Sequence, residues 1–246
     1  MIFLLITIAL FLCMIAYFKL ADHYNIVDRP NERSSHNTLT VRGGGIIFPL
    51  AAILYSFSKG LNYPYFAAGL FLISLISFWD DLKTSSRMLR LLIHLIAVSL
   101  LFIETGVFHE TVWLIIVSYI IVIGIINAYN FMDGINGITG VYSLSVIITL
   151  VWINTLEHFI EQQLLLITIP ALIVFLFYNF RKKARCFAGD VGSVSMAFII
   201  VFALTMLLVH THQFLYLLFL SVYGVDSILT IVFRLMKKEN IFDNKT

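Results

Sequence analysis

Nine apolar runs separated by short polar stretches make up most of this chain, near 1–18, 46–58, 65–79, 88–103, 111–127, 139–155, 160–179, 192–209 and 213–235. A helix rising 1.5 Å per residue needs roughly 17 to 25 residues to cross a bilayer, so runs of this kind demand a membrane solution. Composition points the same way. The 246 residues are 60% hydrophobic and only 12% charged, with a mean hydropathy of +0.96, far from the balance of soluble domains. The predicted fold is all-α: a polytopic integral membrane bundle of about nine transmembrane helices, forming a single domain over 1–246. Several runs are short, and tilting or re-entry is expected there. The first run lacks a basic leader and a small-residue cleavage site, and its first cation, Lys19, follows it. It reads as a retained span rather than a signal peptide. Cys13 sits in an apolar run and Cys186 in a loop, so no disulfide framework is implied.

Charge location carries more information than the formal total of +2. Following the parity of nine spans, every Lys and Arg except Lys59 falls on one face. Cytoplasmic loops collect these residues, so that face is cytoplasmic, the N-terminus lies outside and the C-terminus inside. Loops on the other face carry Glu104, His109, Glu110, Glu157, His158, Glu161, His210 and His212 and read as connectors. No nucleic-acid partner is expected, and function is sought in four cytoplasmic loops.

The first loop holds Arg33, Ser34, Ser35 and His36, then Arg42, Gly43, Gly44 and Gly45 directly before the second run. Consecutive glycines let backbone N–H groups approach an anion, and Arg33 and Arg42 each offer a planar donor fork, so phosphate binding is one reading. A flexible turn with membrane-border anchors is the other. The second loop carries Trp79, Asp80, Asp81 and Lys83. Adjacent carboxylates repel unless a cation such as Mg²⁺ offsets them, with Lys83 free to touch phosphate; a solvated helix cap is the alternative. In the third, Asn127, Asn130 and Asp133 recur every three residues and would share one helix face, with Asn136 and glycines following. Such side chains suit a sugar or a base edge. In the fourth, Arg181, Lys182, Lys183 and Arg185 precede Phe187, Gly189, Asp190, Gly192 and Ser193. Asp190 at a new helix N-terminus could meet a metal–phosphate group, Phe187 could stack on a base or pack at the interface, and the basic run suits anionic lipid.

Together these motifs, RSSH with RGGG, WDD, NxxNxxDGxxG and GDxGS, resemble the polyprenyl-phosphate N-acetylhexosamine-1-phosphate transferase superfamily (glycosyltransferase family 4), from about Asp28 to Arg234. The resemblance implies transfer of a sugar 1-phosphate from a UDP-N-acetylhexosamine to undecaprenyl phosphate in the bacterial cytoplasmic membrane. UMP is released and a lipid-linked envelope glycan such as O-antigen begins. It implies Mg²⁺ or Mn²⁺, with Asp190, Asp80 and Asp81 as the metal region and Asp133 as a catalytic or nucleotide-site carboxylate. Arg33, His36, Arg42, Gly43, Gly44, Gly45, Lys83, Asn127, Asn130, Asn136 and Phe187 fall to substrate binding. Direct attack by the lipid phosphate, with a base such as Asp81, is preferred over an aspartyl intermediate. The pattern departs from the family at Asn136, where many relatives carry Asp, and at Leu39 and Val41, where prolines are common. Relatives also continue beyond the Arg-rich end of their ninth span into an HxHH loop, whereas this sequence ends at Thr246. Two expectations follow: a compact enzyme, or a catalytically silent subunit that binds UDP-sugar or lipid phosphate. Oligomeric state is left open, a homodimer included.

Overall fold

The computed structural model describes residues 2–28, 39–58, 60–83 and 85–237. Nine α-helices occupy them: α1 (Ile2–His23), α2 (Ile47–Ser58), α3 (Pro64–Leu82), α4 (Arg87–Thr105), α5 (Val112–Met132), α6 (Ile138–Glu157), α7 (Gln162–Asn179), α8 (Gly189–Thr211) and α9 (Ser221–Met236). Each coincides with one apolar run. Seven of them, α1 and α3 to α8, are long and apolar enough to cross a membrane. The remaining apolar helical segments, Gly44–Ser58 and Phe214–Ser227, are shorter. At 1.5 Å per residue, a segment of this length reaches only about 20 Å, against a hydrocarbon core of about 30 Å.

Local signals explain where the helices start and stop. Pro64 opens α3 at a position where its missing N–H costs nothing. Ser86 caps α4, its hydroxyl accepting from the Leu89 N–H at 3.2 Å. Asn154 closes the α6–α7 turn by bonding both backbone groups of Ile160. The helix α8 is buried nearly all round, from Val191 to Leu207. That is why it is apolar on every face, where a surface helix would carry a stripe. The other helices gather against it, α3 by stacking Phe66 on Phe202 with ring centroids 4.1 Å apart.

Hydrogen bonds show that the four motif loops meet at one end of the bundle. The short strand β1 (Val27–Asp28) pairs antiparallel with β2 (Thr40–Val41), and Val41 makes a parallel bridge to Cys186. This ribbon straps the first loop to the fourth. The third joins through Asn179, whose side chain accepts from Gly137 N–H at 2.6 Å and donates to the Cys186 carbonyl at 2.9 Å. The opposite end holds simple ties, such as Glu104 accepting from the N–H groups of Tyr65 and Phe66.

Candidate active site

The site is built at the N-terminus of α8, where the first turn lacks a cap of its own. Asp81, at the end of α3, supplies one from across the structure: Oδ1 accepts from the Asp190 N–H at 2.9 Å and Oδ2 from the Val191 N–H at 3.0 Å. Its side chain is fully buried and also meets Arg42 Nε at 2.7 Å. A helix N-terminus carries partial positive charge and unpaired amides, so a buried carboxylate there satisfies both.

Arg42 then spans two acids, its Nη2 lying 3.2 Å from Asp190 Oδ1. Burial works against its charge, but Asp81 and Asp190 outweigh that and hold the guanidinium above its usual range. The backbone carbonyl of Arg42 is fixed by the Tyr17 hydroxyl at 2.6 Å. On the other side Arg90 Nη1 lies 2.7 Å from Asp80 Oδ2 and 3.7 Å from Asp190 Oδ2. Asp80 Oδ1 accepts from both the N–H and the hydroxyl of Ser85, at 2.6 and 2.7 Å. Thus Asp80, Asp81 and Asp190, drawn from two loops, are knitted by two arginines. Asp133 lies within electrostatic reach of Asp81 and Asp190. Its carboxyl is pushed up to about 7, first by burial and then by the neighbouring charges of Asp81 and Asp190.

Close approach of the loops depends on glycine. A Cβ on Gly45 would fall 2.3 Å from the Gly192 Cα, and one on Gly189, whose φ is +71°, would fall 2.6 Å from Asp81 Oδ2. The Gly44 and Gly45 N–H groups donate to the carbonyls of Phe187 and Ala188 at 2.8 and 3.0 Å. This corrects the expectation that they cradle a phosphate: those two amides are already spent on strapping the loops together.

Other expected site residues are distributed unevenly. Asn130 reaches the cluster, its Oδ1 accepting from Ser193 Oγ at 3.2 Å. Asn127 does not share its role, because it is exposed and donates to the Ile123 carbonyl of its own helix. Asn136 donates to the Arg181 carbonyl at 2.9 Å, a tie between the third and fourth loops. Lys83 is exposed, at the C-cap of α3. Phe187 is half-buried, and its backbone N–H donates to the Val41 carbonyl at 2.8 Å. Gly43 sits at φ +77°, turning the chain into the 3₁₀ segment before α2. Arg33 and His36 lie outside the described residues. Two partners escaped sequence reasoning: Ser85 and Arg90. Arg90 reads in sequence as a border cation, although its place in the first turn of α4, close in sequence after Asp80, is a usable signal.

Among the described residues no three His, Cys, Asp or Glu side chains converge as a ready metal cage. The donor set is nevertheless all oxygen. Three carboxylates against two guanidiniums leave an excess of negative charge, which suits a hard divalent cation. Asp190 and the Oδ2 of Asp80 are the donors that could hold one, since they meet arginine side chains that can turn aside, whereas both oxygens of Asp81, like Oδ1 of Asp80, are committed to backbone N–H groups.

Comparison with known proteins is consistent with this geometry. The chain is 30% identical over 171 residues to the phospho-N-acetylmuramoyl-pentapeptide-transferase of Thermotoga maritima, covering 62% of this chain and 56% of that protein. It is 32% identical over 182 residues to the protein of that name from Streptococcus pneumoniae, covering 62% and 55%. Against the probable undecaprenyl-phosphate N-acetylglucosaminyl 1-phosphate transferase of Bacillus subtilis, identity is 26% over 247 residues, covering 91% and 68%. The chain therefore spans little more than half the length of the Thermotoga protein. The sequence model of glycosyl transferase family 4 matches residues 63–208. That stretch holds Asp80, Asp81, Asp133 and Asp190 but not Arg42, which the structure places between Asp81 and Asp190. With well over half of its length matched, from the start of α3 almost to the end of α8, the chain belongs to glycosyl transferase family 4.

Proposed function

We propose that this protein transfers an N-acetylhexosamine 1-phosphate from a UDP-sugar to undecaprenyl phosphate, releasing UMP and beginning a lipid-linked envelope glycan. The observation that carries this reading is the knot of Asp80, Asp81 and Asp190 with Arg42 and Arg90 at one end of a bundle of membrane-length helices. A membrane-border site with paired charges of both signs fits a reaction between two phosphate-bearing molecules, one of them lipid. The concentration of Lys and Arg near these loops supports placing this end in the cytoplasm of a bacterial inner membrane, where nucleotide sugars are found.

The chemistry is a displacement at phosphorus. An oxygen of the lipid phosphate forms a bond to the β-phosphorus of the UDP-sugar while the bond to the bridging oxygen breaks, and UMP departs with that electron pair. Arg42 and Arg90 present forks that can turn toward pyrophosphate oxygens. Asp133, with its carboxyl near 7, is matched to accept a residual proton from the lipid phosphate. This moves the base role from Asp81, whose oxygens are occupied, to Asp133. Asp81 instead positions Asp190 by holding the first turn of α8. Mg²⁺ or Mn²⁺ bound at Asp80 and Asp190 would supply neutralisation of phosphate charge.

The test is a screen of UDP-N-acetylhexosamines with undecaprenyl phosphate in membranes containing the protein, scored by UMP and lipid-linked product. Mg²⁺-dependent UMP release that Asp190→Ala abolishes is expected. No release from any UDP-sugar, with folded protein and acceptor present, would refute the reading.

A further inference from the structure

A second charged feature lies beside the catalytic knot and takes no part in it. A cavity of about 590 Å³ opens at the motif end between the first and fourth loops, its polar lining formed by Asp22, Asn25, Arg181, Lys183 and Arg185. Among the described residues none of its three cations pairs with a carboxylate. Two of them are held on an aromatic shelf between α1 and α7. The Arg181 guanidinium carbon lies 4.6 Å from the centroid of Phe177, with Nε donating to the Phe177 carbonyl at 2.6 Å. That of Arg185 lies 5.2 Å from the centroid of Phe18. Directed cations over aromatic rings at the end of membrane-length helices are a headgroup-level arrangement.

We propose that this cavity binds the phosphodiester headgroup of an anionic phospholipid. The three cations outnumber Asp22, which with Asn25 can accept hydrogen bonds from headgroup hydroxyls such as those of a glycerol. The source is lipid rather than soluble phosphate because Phe177 and the α1 residues Leu12, Ile15 and Leu20 are exposed and apolar. They offer the acyl chains a lipid-facing path down the same pair of helices. The cavity also touches the strap that carries the active site. Val41 lines it, its N–H donates to the Arg185 carbonyl at 3.4 Å, and the next residue is Arg42. An occupied headgroup site would steady the fourth loop against the first, just where Arg42 meets Asp81 and Asp190. The inference rests on membrane placement and not on the transferase reading, so each can fail alone.

The experiment is native mass spectrometry of the whole chain released from nanodiscs of equal phosphatidylglycerol and phosphatidylcholine. Wild type should retain phosphatidylglycerol preferentially. Each cation removed should weaken that preference by about fivefold, the effect of one surface cation near anionic lipid. The triple change Arg181→Gln, Lys183→Gln, Arg185→Gln should bring the two lipids to parity. Lys183→Glu, at an exposed position, repeats the test in a variant whose folding is not at stake. Equal retention by wild type, or undiminished preference in Lys183→Glu, would overturn the proposal. Displacement of the bound lipid by inorganic phosphate would overturn its assignment to lipid.

Discussion

Replacing Asp81 separates positioning from chemistry, because its carboxylate holds three donors at once. Asp81→Ala would strip the cap from α8, leaving the Asp190 and Val191 N–H groups without their acceptor, and would cost Arg42 its nearest anion. A hydrogen bond to a charged acceptor contributes about 1.5–3 kcal/mol, and removing one partner of a buried ion pair costs about 3–5 kcal/mol. These losses overlap, and Arg42 is 36% exposed, so water recovers part of its share. A net destabilisation of about 3 kcal/mol is expected. Asp81→Asn keeps one carbonyl oxygen and can still accept from one α8 amide, so about half that loss should remain. Unfolding of purified protein in detergent, followed by denaturant titration without substrate or metal, measures this directly. Both variants should also lose UMP release, since Asp190 and Arg42 are no longer fixed. An Asp81→Ala protein as stable as wild type, yet inactive, would refute the capping argument and make Asp81 a direct participant.

Four further substitutions test the same geometry. Gly192→Ala places a methyl 2.7 Å from the Gly45 Cα, so loop and helix must separate; a loss of about 1–3 kcal/mol or more, with strongly reduced turnover, should appear in the same unfolding and UMP assays. Gly124→Ala, where nothing lies within 4 Å, should be neutral or stabilise by up to about 1 kcal/mol. Arg90→Lys keeps the charge but loses the fork, and turnover should fall by about tenfold or more with little change in stability, since Arg90 is about one-third exposed. Asp133 gives a pH signature. Its folded carboxyl titrates at about 7, above the usual carboxylate range, because burial and nearby acids disfavour the charge. Between about pH 4 and 7 the folded state therefore keeps a proton that the unfolded chain has released, so stability falls as pH rises through that window and levels off above it. Asp133→Asn should flatten that slope in unfolding experiments, most of all between about pH 6 and 7, because Asp81, itself pushed up to about 6 by burial and Asp190, keeps its own share at lower pH. It should also remove the rise of turnover through neutral pH that a proton-accepting carboxylate produces.

Nine helices and the grouping of the motif loops were legible from the apolar runs and the charges, but nine spans were not. Among the described residues only seven helices reach membrane length, because an apolar run reports burial and not how far its helix extends. Individual roles were less legible. Asn127, Asn130 and Asp133 have ideal spacing for one face, yet Asn127 turns back onto its own helix while Asn130 meets Ser193. Spacing fixes the direction of a Cβ but not the partner that a flexible amide finds. The glycines misled in the opposite sense: their lack of a side chain serves the approach of Gly45 to Gly192, and the Gly44 and Gly45 amides are not left open for an anion. Arg90 was hidden because a cation near a membrane border already has an explanation. Only its 2.7 Å contact with Asp80 reveals a second one.

The charge balance explains why so much of the motif sequence acts as scaffold. Asp80, Asp81 and Asp190 would repel one another at a membrane border where water is scarce, and two arginines alone leave negative charge in excess. Part of the remainder is met by backbone: two α8 amides face Asp81, and the Ser85 N–H faces Asp80. Among the described residues Asp190 receives no such backbone donor; it faces the two guanidiniums that also serve its neighbours, and the like-charged carboxyl of Asp80. It is therefore the acid with the most unmet demand for positive charge. A cation or an incoming phosphate that draws an arginine away acts first on Asp190, so the loss of activity in Asp190→Ala should exceed that in Asp80→Ala.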